Sequence, residues 1–205
     1  MCEKLFNPLG EEEREKLERR ILEALNNCPG HPLPPDESFP GAGIYALYYF
    51  GSFDLYSRLA ERNARGQYNV PIYAGKANLK GVRTARGSTT RQTPLYNRLR
   101  EHARSINEAV NLNVDDFGCK YLVLEQTWVS LGEQILIRQF SPIWNTVVEG
   151  FGIHTPGRGR AGQQRSQWDT LHPGREWVEK LKLPPNAMGE EEIRRRVHEH
   201  LNHLT

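Results

Sequence analysis

The 205-residue chain has little cysteine, and its three (Cys2, Cys28 and Cys119) fall at no metal-ligating spacing. A scattered odd set argues against a disulfide-stapled scaffold and suits a reducing, cytoplasmic setting. Long apolar runs are also missing, so no segment reads as a membrane span. Met1-Cys2-Glu3-Lys4 leads into a mixed stretch without the apolar centre of a signal peptide. No internal repeat is visible. The length fits one domain of moderate size with extensions, large enough to bury a core.

Net charge is small, +2, but unevenly spread. Residues 1–37 hold nine acidic and five basic side chains. Residues 76–104 hold Lys76, Lys80, Arg83, Arg86, Arg91, Arg98, Arg100 and Arg104 against Glu101 alone. A nearly single-signed basic block points to a polyanionic partner rather than to an ordinary solvated face.

Two stretches organise the chain. Gly43-Ile44-Tyr45-Ala46-Leu47-Tyr48-Tyr49-Phe50 and Pro71-Ile72-Tyr73-Ala74-Gly75-Lys76 read as strands, rich in Ile and Tyr and edged by Gly and Pro. Paired antiparallel, they set both isoleucines into a core and Tyr45 and Tyr73 onto one working face. Taken alone, both tyrosines pass for ordinary sheet residues. Around the strands, residues 11–26 read as an amphipathic helix, with Leu17, Ile21 and Leu25 on one stripe, for packing or dimer support. Residues 29–40 read as a Pro-rich extended connector, and 54–64 as a short helix. A helix over 94–110 carries Leu95, Leu99, Ala103 and Ile106 inward, with Arg98 and His102 one turn apart on one face. Phe117 to Glu125 reads as a third, largely buried strand holding Cys119. Helices follow over 129–140, which carries Glu133, and over 189–204, with a loop-like tract at 149–168 between them. His198, His200 and His203 are at the wrong spacing for a metal set and read as surface residues.

The order Gly-Ile-Tyr, Tyr-Ala-Gly, Arg98-x-x-x-His102, Glu133 and Trp144-Asn145 resembles the GIY-YIG nuclease superfamily. Each motif is weak alone, but five in order are specific. The second departs from the family pattern by an alanine, a core change that leaves the phenol and the glycine in place. The Arg98/His102 spacing, the wide gap between the tyrosines, Trp144-Asn145-Thr146-Val147-Val148 and His172-Pro173-Gly174-Arg175-Glu176-Trp177 look like the branch of type II restriction endonucleases that cut a GC-only palindrome. The resemblance spans roughly residues 35–180. It implies an α/β fold: a small central sheet, mixed or antiparallel, flanked by helices, with helical extensions at both ends. On this reading residues 1–40 are an N-terminal helix and connector. Residues 41–148 are the nuclease core, with insertions at 51–69 and 77–93. Residues 149–205 supply a DNA-contacting loop and C-terminal helices, all within one compact unit. Superfamily members usually join the two strands more briefly, so 51–69 is available to wrap DNA or a second subunit.

The resemblance also implies chemistry. Phosphodiester hydrolysis needs an activated water, stabilised phosphoryl oxygens and help for the leaving oxygen. A divalent metal serves the last two needs, and magnesium requires only one or two protein carboxylates. Glu133 is then the ligand of one Mg2+ per active site, with Mn2+ as a substitute. Arg98 holds the scissile phosphate through paired donors. Tyr45 contacts the attacking water and takes its proton. Tyr73 orients that water or the phosphate. His102 is a partner for a phenol or an auxiliary base. Asn145 fixes the loop near Glu133 or touches phosphate, and Lys76 contacts phosphate or helps deprotonate Tyr45. A free phenol titrates at about 10, so a nearby cation is needed to favour phenolate. Guanine O6 and N7 are read by Arg and Lys. The arginine-bearing loops 77–93 (Lys80, Arg83, Arg86, Arg91) and 154–167 (Arg158, Arg160, Arg165), with Arg104, are therefore the candidate DNA contacts. The implied partners are double-stranded DNA of CCGCGG type, a second copy of the chain, and a separately encoded methyltransferase protecting the same site. A homing or repair nuclease of the superfamily, or a catalytically silent DNA-binding protein, would share part of this pattern. The first usually has a separate DNA-binding domain, and none is visible here. The second has no need of Tyr45, Arg98 and Glu133 together.

Overall fold

The structure is a computed structural model that describes residues 10–79, 92–153 and 162–203. At its centre is a four-stranded sheet in the order β1-β4-β2-β3. The strands are β1 (His31–Pro32), β2 (Gly43–Tyr49), β3 (Pro71–Ala77) and β4 (Phe117–Val123), and every pairing is antiparallel. The fold is therefore α/β with an antiparallel sheet. The helices are α1 (Glu11–Asn27), α2 (Ser57–Arg62), α3 (Pro94–Glu108), α4 (Gln126–Phe140), α5 (Ile143–Thr146), α6 (Gln167–Leu171), α7 (Glu176–Leu181) and α8 (Glu190–Asn202). None is long and apolar enough to cross a membrane.

The alternation of β2 divides the core. Ile44, Ala46 and Tyr48 pack with Ile21 and Leu25 of α1 and with Ile135 and Leu136 of α4. Tyr45, Leu47 and Tyr49 face Leu95, Leu99 and Ile106 of α3, Trp144, Phe151 and the C-terminal helices. Helix α1 thus spends its apolar stripe on α4 and β4. Gly43 has no room for a side chain, since a Cβ there would lie 2.1 Å from the carbonyl oxygen of Leu122. This contact lets β4 lie tightly against the start of β2.

Several expectations change in detail. The two motif isoleucines are both buried but enter opposite cores, Ile44 with α1 and α4, Ile72 with the phenols. The cause is an irregularity in the ladder, where Leu47 pairs with Tyr73 and Tyr48 with Pro71, leaving Ile72 as the extra residue. The Pro-rich connector contributes a short strand, β1, which pairs with Gly118 and Cys119. β4 is buried only over Phe117–Cys119 and reaches solvent at Val123. Residues 51–69 do not hang free: Leu55, Tyr56 and Leu59 lie in the core. Buried Asn63 donates to the carbonyls of Tyr49 and Val70 and accepts from the amides of Asn69 and Val70. The apolar side of this segment is used internally, leaving only its outer polar side for any partner.

Candidate active site

The register places Tyr45 opposite Gly75, and Tyr73 opposite Leu47, one step along the same face. The two phenol rings are 6.2 Å apart. A Cβ at position 75 would meet Tyr45 Oη at 2.4 Å and its Cζ at 2.6 Å, so the glycine of the second motif makes room for the first tyrosine's hydroxyl. From α3, buried His102 places Nε2 2.5 Å from Tyr45 Oη. Its ring packs edge-on to Tyr73 at 5.1 Å and stacks on Phe151 at 4.6 Å.

Burial pushes Tyr45 well above the ordinary phenol range; Tyr73 adds to the shift, and Arg98 opposes it. Tyr73 is pushed up to about 12, first by burial and then by the charge of Glu133, again opposed by Arg98. The cation expected to favour phenolate is thus present, but burial outweighs it and both resting tyrosines are neutral. A neutral Tyr45 can accept a proton from water only by passing its own to a neighbour, and His102 Nε2 is at hydrogen-bond distance to receive it.

Lys76 leaves the other side of β3, opposite Ile44. Lys76 Nζ lies 2.8 Å from Glu133 Oε2 and 3.3 Å from Ser130 Oγ, both on α4. Glu133 has about one-fifth of its side chain in solvent, so it reaches water while its electrostatic effect extends to both phenols. Arg98 is more than one-third exposed and pairs with Glu101 at 3.1 Å. Asn145 acts on β3 itself: its Oδ1 accepts from the Ala74 amide and its Nδ2 donates to the Ala74 carbonyl, both at 2.8 Å. It closes the open edge of the strand next to Tyr73 and Gly75, where unpaired backbone groups would otherwise remain. The phenols, the histidine, the arginine, the Lys–Glu pair and the asparagine therefore gather around β3.

Among the described residues no group of three or more His, Cys, Asp or Glu converges on one point. A lone, partly exposed carboxylate suits a hard cation that keeps most of its waters and takes phosphate oxygens, and does not suit a zinc cage. Glu133 fits such a divalent cation once Lys76, 2.8 Å from its Oε2, moves aside.

The candidate DNA contacts are divided. Lys80, Arg83, Arg86, Arg91, Arg158 and Arg160 lie outside the described residues. Arg104 is exposed on α3 and pairs with Glu108 at 2.8 Å. Arg165 is held by Glu179 at 3.1 Å and donates to the Leu183 carbonyl. Residues not singled out from the sequence also matter. Phe151 covers His102, and Gly152 leaves room for the hydroxyl of Tyr73. Gln126 ties down the exit of β3, accepting from the Leu79 amide and donating to Asn78. Their contacts are long-range, and nothing in their local sequence marks them.

A small antiparallel sheet with two adjacent strand tyrosines, a helical Arg/His pair and a lone glutamate is the layout of a GIY-YIG nuclease. Comparison with known families agrees: the Eco29kI GIY-YIG domain matches residues 37–201, and the chain belongs to that family. It is therefore a type II restriction endonuclease, a site-specific hydrolase of DNA. No curated protein matches the chain. Nucleases of this superfamily typically use divalent metal ions.

Proposed function

We propose that this enzyme makes magnesium-dependent double-strand cuts at a GC-only palindrome of CCGCGG type, with Tyr45 and His102 moving the proton. The observation that carries the reading is the 2.5 Å contact between Tyr45 Oη and His102 Nε2, with the Lys76–Glu133 pair formed from the same strand that carries Tyr73. In the proposed reaction a water at Tyr45 gives up its proton as it attacks phosphorus, while the phenol passes its own proton to His102. Tyr73 fixes the orientation of that water or of a phosphate oxygen. Arg98 presents its planar donors to the phosphate, which requires release from Glu101. Lys76 moves from Glu133 to a phosphate oxygen, and Asn145 keeps β3 in register throughout. Glu133 would hold the metal, which would offset charge on the phosphate and the leaving oxygen.

The enzyme acts as a homodimer, because a two-fold target cut on both strands calls for two related sites. The polar outer side of residues 51–69 and helix α1 are the candidate contacts, and a monomer on cognate duplex in ultracentrifugation would remove this element. A companion methyltransferase protects the host sequence. The basic loops 77–93 and 154–167 and Arg104 supply phosphate and guanine contacts. Residues 1–40, 41–148 and 149–205 act as connector, nuclease core and DNA-contacting C-terminal part of one unit. Digestion of plasmid DNA with magnesium, with the ends mapped to the base, tests the reading. Cuts at every CCGCGG and nowhere else are expected. Cutting at an unrelated sequence overturns the target, and metal-independent cutting overturns the metal.

A further inference from the structure

Behind the catalytic rings is a fully buried guanidinium that the proposed mechanism does not use. Arg175, at the start of α7, is sandwiched between Trp168 and Trp177, at 4.6 and 5.1 Å from the two ring centres. All five of its N–H donors are engaged. Nε donates to Asp169 Oδ1 and one terminal nitrogen to Asp169 Oδ2, both at 2.6 Å. That nitrogen also donates to the Gly150 carbonyl at 3.1 Å. The other donates to the carbonyls of Phe151 at 3.2 Å and Ile153 at 2.6 Å. Asp169 is in turn fixed by Ser166 Oγ at 2.5 Å and is also fully buried.

Three of the five bonds end on the backbone of residues 150–153, which has no regular secondary structure of its own to hold it. This is the segment that faces the reaction. Phe151 lies on His102 and meets Tyr73 edge-on at 5.0 Å. A Cβ on Gly152 would lie 2.6 Å from Tyr73 Oη. A buried ion pair is a costly way to gain stability, since desolvation offsets most of its attraction. Fixing irregular backbone by three directional bonds, from a guanidinium itself held by a carboxylate, is what such a pair does better than apolar packing.

We infer that Arg175 is a positioning residue for the cleavage reaction: it ties residues 150–153 down so that Phe151 and Gly152 fix the rings of His102 and Tyr73. The inference rests on the assignment of those rings to the reacting centre. Arg175 touches neither ring and acts through Phe151.

The test uses full-length Arg175→Lys, Asp169→Asn and Phe151→Leu, and the double variant Arg175→Lys/Phe151→Leu. Folding is followed by near-ultraviolet circular dichroism. The first readout is the His102 ring resonance of the DNA-free protein, assigned by comparison with His102→Gln. Loss of the stacked Phe151 ring moves that resonance, so Arg175→Lys and Phe151→Leu should both shift it. The second is the single-turnover rate on plasmid carrying CCGCGG. Each single variant should lose at least about tenfold, as small misplacements of reacting groups do, while DNA affinity in EDTA is unchanged. The double variant should be no slower than the slower single variant, because both act through one ring. An unmoved His102 resonance in folded Arg175→Lys, or losses that multiply in the double variant, overturns the inference. If Arg175→Lys does not fold, Asp169→Asn and Phe151→Leu carry the test, and a normal rate for Phe151→Leu overturns it. A shifted resonance with normal rates leaves the tether standing, overturns the assignment of these rings to the reaction, and so removes Arg175 from catalysis.

Discussion

Gly75→Ala is the smallest change that reaches the reacting hydroxyl without altering any group proposed to react. The added methyl would lie 2.4 Å from Tyr45 Oη and 2.6 Å from Cζ, where ordinary contact begins near 3.4 Å. Tyr45 is 1% exposed and enclosed by sheet and helix, so its ring has no solvent to move into. The hydroxyl must shift by about 1 Å, which breaks its short bond to His102; a displacement of that size costs on the order of 100-fold in rate. The overpacking also costs about 1–3 kcal/mol of stability. Single-turnover cleavage of plasmid by wild-type and Gly75→Ala protein, with DNA affinity measured in EDTA, separates the two effects. A rate loss near 100-fold with unchanged affinity is expected. Cutting within threefold of wild type, in folded protein, would refute the argument that Gly75 exists to seat the phenol.

Glu133→Gln should abolish magnesium-dependent cutting and leave specific binding, read by gel shift, largely intact; its melting temperature should move little, because the partly exposed pair with Lys76 contributes only about 0–1 kcal/mol. Arg98→Ala should flatten the slope of log affinity against log salt by about 0.9, the signature of one lost phosphate contact, in titrations on cognate duplex. His172 gives a pH prediction. Its Nε2 accepts from Tyr56 Oη, which receives the Trp144 indole N–H, and its Nδ1 donates to Asn111 Oδ1. Burial first, then Arg194, lowers its pKa to about 3. Protons therefore bind the unfolded chain in preference, and the stabilisation, full above about pH 6.5, is lost progressively as pH falls toward the folded value. Between pH 7 and 5 this amounts to about 2 kcal/mol. Urea unfolding at both pH values should show that loss in wild type and a smaller one in His172→Gln; equal losses would contradict a neutral buried histidine.

The parts of the site legible in the sequence are those with a local signature. Tyr45 and Tyr73 are recognisable because each follows an isoleucine in a short Gly- and Pro-edged strand, and antiparallel pairing of the two strands puts both on one face. Arg98 and His102 share a helix face by spacing. Glu133 and Asn145 gained meaning only from their order along the chain. What stayed hidden is set by contacts between distant residues. Ile72 changed sides because the β2–β3 ladder has an extra residue, which no pattern in Pro71–Lys76 announces. Strand β1 forms within a Pro-rich stretch because β4 offers it an edge. Residues 51–69 read as an insertion available to DNA or a second subunit, and their local pattern does not show that Leu55, Tyr56 and Leu59 fill the core. The elevated phenols follow from burial, which spacing cannot report. Arg175 is visible in the sequence only as part of the His172–Trp177 segment that carries the resemblance, and only the fold shows all five of its donors engaged.

The most direct measurement of the central claim is single-turnover cleavage of CCGCGG duplex by Tyr45→Phe and His102→Ala at saturating magnesium from pH 6 to 9. Tyr45→Phe keeps the ring and its packing and removes only the hydroxyl 2.5 Å from His102. The account predicts a loss of on the order of 10²–10⁴ for Tyr45→Phe with full DNA binding, and a comparable loss for His102→Ala, which removes the acceptor of the phenol's proton. Near-normal cutting by Tyr45→Phe beside an inactive His102→Ala would contradict it and make the histidine the base.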